Sequence, residues 1–305
     1  MNTIPEQQNQ PHQLERLGAI SQLYLQAKRL LGINMLLSVP LALVWVIVVA
    51  ALPSLQIYAA LWGIVFTLLG ILLLTPAQKE SQKKAAKIQQ LFDCELFQMS
   101  WQDFNIGRQP EPEMIVRANS QHIKRDPSYA QLKDWYPIAI FQLPLHLARL
   151  VCQRTNCWWD AELRRRYSAW IITILAVLAV LILLIGLIGG LTLEKFLLVV
   201  VAPLSPALIL GITQYRENMQ AATNLDRLRD KAEETWSRAL SNHETPEALY
   251  NSSVKLQDAI FDNRSTSPLI FNWFYKWLRD DKQKSMNKAA EDLVEKAMKT
   301  LGQSN

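Results

Sequence analysis

An uncharged run in the second half of the chain constrains the fold more than any other feature. No charged residue occurs from Trp170 to Leu193. As a helix this run is about 36 Å long, because an α-helix rises about 1.5 Å per residue. It therefore exceeds the roughly 30 Å hydrocarbon core of a bilayer. Gly189 and Gly190 interrupt it, and residues 196–215 are again uncharged. The sequence predicts a transmembrane hairpin over residues 170–215, with helices at about 170–190 and 196–215.

A second uncharged block lies near the N-terminus. No charge occurs between Arg29 and Lys79, and Pro53 divides the block into two parts. Each part is long enough to cross a bilayer as a helix. We therefore predict a first transmembrane hairpin over residues 31–75, with helices at about 33–52 and 57–74.

Basic residues flank both hairpins on the same side. Lys28 and Arg29 precede the first hairpin and Lys79 follows it, while Arg164–Arg166 and Arg216 flank the second. The tips of the hairpins carry almost no charge. Because cytoplasmic loops of membrane proteins are enriched in lysine and arginine, this pattern predicts that both termini and the middle segment are cytoplasmic.

The other segments show helical periodicity and no convincing alternation of period two. The predicted fold class is an all-α membrane protein, with four transmembrane helices in two hairpins and a helical cytosolic domain formed by residues 76–169 and 216–305. A final helix is expected at about 283–301, after an aromatic segment at 272–278.

The N-terminal segment, residues 1–30, is predicted to form an amphipathic helix that begins at Pro11 and ends at Leu31, where the first hairpin starts. Its apolar stripe consists of Leu14, Leu17, Ile20, Tyr24, Ala27 and Leu31. Two interpretations stay open: the helix packs on the cytosolic domain, or it lies in the plane of the membrane interface.

The polar content of the predicted spans disfavours a transporter. No span contains Asp, Glu, Lys, Arg or His, whereas ion-coupled transporters and proton pumps normally keep such residues within the membrane.

The sequence also contains no common catalytic motif: no phosphate-binding loop, nucleophile elbow, zinc-protease or kinase motif occurs. We therefore expect neither an enzyme nor a cofactor.

The three cysteines, Cys94, Cys152 and Cys157, fall in segments expected to be cytoplasmic, so we predict reduced, buried thiols. Cys152, Cys157 and His146 match no common zinc spacing and lack a fourth ligand, so no metal site is predicted.

Two prolines interrupt the backbone hydrogen bonding of the fourth predicted span. Pro203 and Pro206, with Ser205 between them, each remove a helix hydrogen bond. An ordinary membrane kink is the simpler interpretation. A hinge or gate of a pore is the functional alternative.

The segment before the second hairpin is rich in arginine and tryptophan. It contains Arg149, Arg154, Trp158, Trp159, Asp160, Arg164, Arg165 and Arg166. Such residues suit phosphates and bases, but they also mark membrane interfaces, and on physical grounds alone the interface interpretation is favoured.

Several motifs resemble a known family in their order along the chain. They are Phe92–Phe97 with Trp101, Asp134–Pro137, Cys152–Asn156, Trp159-Asp160, Leu163–Tyr167, Gln257–Phe261 with Arg264, and Ser267–Phe271 with Trp273–Tyr275. Together they resemble the SMODS-associated four-transmembrane (S-4TM) effector family, in which an acidic residue precedes the Trp-Phe-Tyr motif. Asn272 departs from that pattern.

The resemblance implies a bacterial antiphage effector that senses a cyclic oligonucleotide and forms pores in, or disrupts, the inner membrane. A pore would require a homo-oligomer, since the spans of one copy are too apolar to enclose water. The candidate ligand-binding residues are Arg149, Arg154, Trp159, Asp160, Arg164, Arg165 and Arg264. The alternative is a constitutive four-span membrane scaffold that binds a cytosolic partner protein.

Overall fold

The computed structural model describes residues 2–38, 40–188, 190, 192–197, 201–241 and 244–302. Within these residues no β-strand occurs, and the predicted all-helical class is confirmed. The α-helices are α1 (Ile4–Gln7), α2 (Pro11–Ser38), α3 (Pro40–Ala51), α4 (Gln56–Leu69), α5 (Thr75–Leu96), α6 (Asp103–Ile106), α7 (Pro112–Ile123), α8 (Leu145–Ile188), α9 (Leu193–Phe196), α10 (Ala202–Leu240), α11 (Pro246–Thr266) and α12 (Asn272–Gly302). Short 3-10 turns cover Pro53–Leu55 and Ile138–Gln142, and a π-helical turn, Gly70–Leu74, joins α4 to α5.

Three helical stretches of the described chain are long and apolar enough to cross a membrane. They are Pro11–Val49, Pro53–Leu96 and Leu145–Ile188. In the most apolar part of each stretch few residues are buried, and Ile57 and Leu187, for example, are each 78% exposed. Exposed apolar surface of this length is what a lipid-facing helix requires. The predicted helix at 196–215 crosses residues 198–200, which lie outside the described residues.

The long helix α8 connects the membrane segment to the rest of the domain without a break. It has 44 residues, which corresponds to about 66 Å at 1.5 Å per residue. The uncharged run that begins at Trp170 forms its second half. Its first half carries buried residues, such as Leu147 and Val151, that belong to the core of the helical domain.

Helices α8 and α10 pack side by side and antiparallel. Ile182 and Leu204 share a buried cluster near one end of the pair, while Arg154 and Glu233 form an ion pair near the other end. Between them, a Cβ atom on Gly211 would lie only 2.6 Å from Leu175 Cδ2, so glycine permits the close approach of the two helices here.

The core of the helical domain is formed largely by α2, α5, α8, α12 and the segment before α8. Helix α2 packs along α5 and α7, and the stripe residues Leu17, Ile20, Ala27 and Leu31 are buried. The N-terminal helix therefore continues directly from the domain towards the first apolar segment.

The C-terminal helix begins earlier than the sequence predicts. Helix α12 starts at Asn272 instead of about residue 283, so the aromatic segment belongs to it. The physical reason is packing: Phe274 and Leu278, one helical turn apart, are buried against Tyr167 and Ile171 of α8.

Candidate functional site

A fully buried carboxylate lies inside the helical domain. Asp93 of α5 has no exposed surface. The Tyr136 hydroxyl donates to its Oδ1 at 2.6 Å, while Gln257 Nε2 at 2.9 Å and Arg264 Nη1 at 2.6 Å donate to Oδ2. A buried charge is costly unless it is paired and hydrogen-bonded, and here both oxygens are satisfied. These four residues, which we call the Asp93 cluster, join α5 to α11 and to the segment before α8.

Glutamine and asparagine side chains extend the Asp93 cluster. Gln153 Nε2 donates to Gln257 Oε1 at 3.1 Å, and Gln257 Nε2 also donates to Gln90 Oε1 at 3.0 Å. Asn156 Nδ2 donates to the Tyr136 hydroxyl at 2.9 Å. Because Gln153 and Asn156 belong to α8, this network connects α8 to α5 and α11 through groups that are costly to leave unpaired.

Burial and the shared charge alter the ionisation of two members of the cluster. Burial raises the pKa of Tyr136 well above its usual value, and the neighbouring Asp93 carboxylate raises it further. Burial alone would lower the pKa of Arg264, but the Asp93 carboxylate and the Tyr136 hydroxyl oppose this effect, so its pKa is raised. The tyrosine is therefore held neutral and the arginine charged.

A second polar cluster surrounds Arg164, a buried residue of α8. Its guanidinium donates to Asp160 Oδ2 at 3.1 Å, to Asn218 Oδ1 at 3.0 Å and to the Pro268 carbonyl at 2.9 Å. We call these four residues the Arg164 cluster. It joins α8 to α10 and to the turn between α11 and α12.

The two clusters are linked through the end of α11. Arg264 lies in the last turn of this helix, and Pro268, whose carbonyl accepts from Arg164, follows shortly after it. Tyr24 of α2 packs against the buried cluster that contains the next residue, Leu269. One turn further along α2, Lys28 Nζ donates to Asn272 Oδ1 at 2.6 Å. Lys28, Asn272 and the Arg164 cluster therefore lie near the ends of α2 and α8 that lead to apolar segments, whereas Asp93 lies near the end of α5 that is farther from its apolar segment.

The predicted ligand-binding residues fall in three places. Asp160, Arg164 and Arg264 belong to the two clusters. Arg154 and Arg165 face α10, where Arg154 Nε lies 2.8 Å from Glu233 Oε1 and Arg165 Nη1 lies 2.6 Å from Asp226 Oδ2.

The other two predicted residues lie apart from each other. Arg149 donates to the Phe97 and Gln98 carbonyls at the end of α5, and its guanidinium lies 5.3 Å from the centre of the Tyr250 ring. The Trp159 ring lies 6.0 Å from that of Tyr275 in α12.

The proposed hinge lies at the start of α10. The backbone is helical from Ala202, so it continues through both prolines. Ser205 is half-buried, and the side chains of Pro203 and Pro206 lie outside the described residues.

A surface cleft of about 480 Å³ lies away from both clusters. Arg16, Glu95, Trp101 and Ile115 form part of its wall. Arg16 pairs with Glu95, so the charge of this arginine is already balanced. None of the predicted ligand-binding residues lines this cleft.

The cysteines are free and buried in the structure. Cys94, Cys152 and Cys157 form no disulfide. In the described part of the chain, no group of three or more potential metal-ligating His, Cys, Asp and Glu side chains comes together.

Exposed apolar helices that continue into a helical domain with buried polar clusters define a helical membrane protein. The family model described as the SMODS-associating 4TM effector domain matches residues 2–293. The chain therefore belongs to this family of effectors.

The chain is also similar to a probable CBASS effector molecule of Bacillus cereus (strain VD146). The two are 27% identical over 295 residues, which cover 91% of this chain and 93% of the relative. No solved structure matches the chain.

Sequence reasoning missed the residues at the centre of the site. Asp93 and Tyr136, and the glutamines that surround them, were not predicted to form a site. One signal in the sequence could have found them, because they occur in the motifs that carry the family resemblance. The motifs that supply members of the network are Phe92–Phe97, Asp134–Pro137, Cys152–Asn156 and Gln257–Phe261.

Proposed function

We propose that this protein is the membrane-breaching effector of a bacterial antiphage system. Its helical domain senses a cyclic oligonucleotide, and its apolar helices then form a pore in, or disrupt, the inner membrane. The family match over residues 2–293 and the similarity to a probable CBASS effector molecule support this proposal. The observation that carries the coupling between the two steps is the continuity of α8, which joins the Gln153 and Arg164 contacts to the membrane segment in one helix.

The proposed topology has four spans in two hairpins, with both termini in the cytoplasm. The 3-10 turn Pro53–Leu55 separates α3 from α4, which are in contact with each other. The second hairpin is formed by α8 and α10, whose antiparallel packing supports two neighbouring spans. Basic residues flank both pairs, and this charge bias favours a cytoplasmic location for the flanks.

Reporter fusions test this topology. Fusions after Gln13, near Pro110 and after Gly302 are all expected to give a cytoplasmic signal. Residues near Pro110 separate the two hairpins, so a periplasmic signal at that position would contradict the four-span arrangement.

The two polar clusters support a sensing role for the domain. Asp160, Arg164 and Arg264 come from separate motifs, and the two clusters to which they belong are linked through the end of α11. A phosphate ligand that competes for these guanidiniums would exchange internal hydrogen bonds for charge-assisted bonds to phosphate. Because α8 carries Asp160 and Arg164, such an exchange would act directly on a helix that enters the membrane.

The arginines that face α10 provide a second binding position for the ligand. Arg154 lies on α8 about 15 Å before the Arg164–Arg166 run, at about 1.5 Å per residue, which is farther from the bilayer than a topology signal requires. Its partner Glu233 is about half exposed. The Arg154 side chain is itself 23% exposed, so a phosphate can compete with Glu233 for this guanidinium from the surface.

The experiment is nucleotide binding by the purified protein in detergent, with a panel of cyclic di- and trinucleotides as probes. The Arg154→Ala variant is expected to bind about ten- to a hundredfold more weakly, because a hydrogen bond to a charged group contributes about 1.5–3 kcal/mol. Arg264→Lys tests the Asp93 cluster while keeping the positive charge.

The matched control for this experiment is Arg166→Ala, which removes an exposed guanidinium of the same helix that pairs with Glu162. Arg165→Ala should have a smaller effect than Arg154→Ala, because Arg164 and Arg166 remain. If wild-type protein binds no cyclic nucleotide, or if Arg154→Ala and Arg264→Lys both bind like the wild type, the scaffold alternative is favoured.

A pore requires several copies of the chain. The described spans expose mainly apolar side chains, so one copy offers too few polar groups to line a water-filled channel. We therefore propose that the active form is a homo-oligomer. Single-channel recordings would separate a pore of defined conductance from general disruption of the bilayer.

A further inference from the structure

Two tryptophans at the start of α12 are more exposed than their size leads one to expect. Trp273 is 50% exposed and Trp277 is 71% exposed. They are one helical turn apart, so they lie on the same face of the helix. The neighbouring face, about 100° around the helix, is already occupied, because Phe274 and Leu278 are buried against α8. The two tryptophan rings therefore lie at the edge of the contact with α8 and keep a large exposed surface.

Two independent contacts show where the start of α12 lies along the length of α2 and α8, the helices that lead into the apolar segments. Asn272, the first residue of α12, accepts a hydrogen bond from Lys28 at 2.6 Å. Lys28 and Arg29 are the last charged residues of α2 before the first uncharged block. The start of α12 therefore lies where α2 leaves the charged part of the domain.

The second contact involves α8. The ring of Trp273 lies 5.1 Å from that of Trp170 in an edge-to-face arrangement. Trp170 is the first residue of the uncharged run, and the side chains beyond it, such as Ile172 and Val177, are exposed and apolar. The start of α12 thus adjoins the apolar segments of both α2 and α8.

The rest of α12 runs away from this level. Ala290, Val294 and Ala297 are buried in the main core cluster, together with Ile140 and Leu143 from the segment before α8. Among the described side chains of α12, those of the first two turns are therefore nearest to a membrane that α8 enters at Trp170.

We propose that Trp273 and Trp277 form an anchor that inserts into the interfacial region of the bilayer, at the level of the lipid headgroups. Tryptophan suits this region because its ring is apolar while its indole N–H can donate a hydrogen bond to a headgroup. A helical turn rises about 5.4 Å, so both rings fit within the headgroup layer. The anchor is a membrane contact in addition to the spans, and it does not depend on nucleotide sensing.

Spin labelling of the full-length protein tests this inference. Trp277→Cys is labelled with a nitroxide and reconstituted in phosphatidylethanolamine–phosphatidylglycerol vesicles without nucleotide. Collision rates are then measured with oxygen, which concentrates in the bilayer, and with a nickel chelate, which stays in water. The native cysteines are buried, and the unsubstituted protein measures their background labelling.

The matched control is Lys288→Cys, an exposed position on the same helix that lies about 16 Å further along at 1.5 Å per residue. The ratio of oxygen to nickel collisions is expected to be severalfold higher at position 277 than at position 288. If the Trp277→Cys protein does not insert into the vesicles, the same collision rates are measured with the label at Trp273→Cys, which lies on the same face.

Equal ratios at the two positions would overturn the proposal, because the tryptophan face would then be in water. The proposal would also fail if the label at 277 showed spin–spin broadening that disappeared on dilution with unlabelled protein, without a preference for oxygen. That result would assign the face to contact with a second copy of the chain.

Discussion

The Arg264 guanidinium donates to the fully buried Asp93 carboxylate at 2.6 Å and links two helices whose contacting residues are 171 positions apart in the sequence. The side chain of Arg264 is itself only 11% exposed. Neither charge can therefore be removed without leaving its partner in an environment that penalises an unpaired ion.

Asp93→Asn should destabilise the helical domain strongly. Breaking one side of a buried ion pair typically costs about 3–5 kcal/mol, because the remaining charge stays buried. We expect a large decrease in the thermal unfolding midpoint in detergent. The double variant with Arg264→Gln should recover part of the loss, since it removes the uncompensated charge.

The control for this prediction is Glu80→Gln, which removes the charge of a carboxylate that pairs with Lys84 at the protein surface. Its midpoint should not change measurably, because exposed ion pairs contribute little. A midpoint for Asp93→Asn equal to that of Glu80→Gln would show that the Asp93 pair carries no net stability.

Gly211→Val should disturb the packing of α8 against α10. A Cβ atom at this position would lie 2.6 Å from Leu175 Cδ2, so the helices would have to move apart or Leu175 would have to change its rotamer. Overpacking of this kind typically costs about 1–3 kcal/mol. The measurement is the thermal unfolding midpoint, and toxicity in cells at matched expression should change with it.

Gly63→Val provides the comparison for this substitution. Gly63 lies in α4, and no atom outside its own helix backbone lies within 4 Å of a Cβ built there. This variant should insert and unfold like the wild type. Equal effects of the two substitutions would indicate that helix propensity, and not the contact between α8 and α10, determines the loss.

His122 should make the domain less stable in mild acid. The ring, on α7, is buried next to Gly18 of α2, and its two nitrogens have no hydrogen-bond partner among the described residues. Burial lowers its pKa, and the charge of Arg125 lowers it further. Because the unfolded state has the higher pKa, about 6.5, it binds the proton first. Stability is therefore complete above this pH and falls as the pH decreases towards the folded value.

His122→Gln should reduce this acid-side loss, measured as the change in unfolding midpoint between pH 7.5 and pH 5.5. The control is His12→Gln, which removes a largely exposed imidazole of α2 and should leave most of the loss in place. If the unfolding midpoint of His122→Gln falls as much between pH 7.5 and pH 5.5 as that of the wild type, groups other than His122 cause the decrease.

The family and the helical class could be predicted because they depend on local signals. Uncharged runs, helical periodicity and ordered motifs can all be read along the chain, and the family match confirms the predicted family. The start of α12 was placed too late because its aromatic residues pack against α8, and that contact is not local in sequence.

The centre of the site could not be predicted because its members are distant in sequence. Asp93 obtains its partners from residues 43 to 171 positions away, and nothing along the chain indicates these pairings. The basic stretch was prominent in the sequence, but in the structure Arg154 and Arg165 are paired with acidic residues of α10. Charge density in a segment therefore overstates the charge available to a ligand.

Dye release from reconstituted vesicles tests the central claim most directly. Purified protein is placed in phosphatidylethanolamine–phosphatidylglycerol vesicles that contain a self-quenching dye, and a panel of cyclic di- and trinucleotides is added to the outside. Vesicles with outward-facing helical domains should release dye with at least one nucleotide and retain it with the corresponding linear form, and Arg154→Ala should require more of that nucleotide. Retention of the dye with every cyclic nucleotide that the same preparation binds would contradict a ligand-gated breach of the membrane.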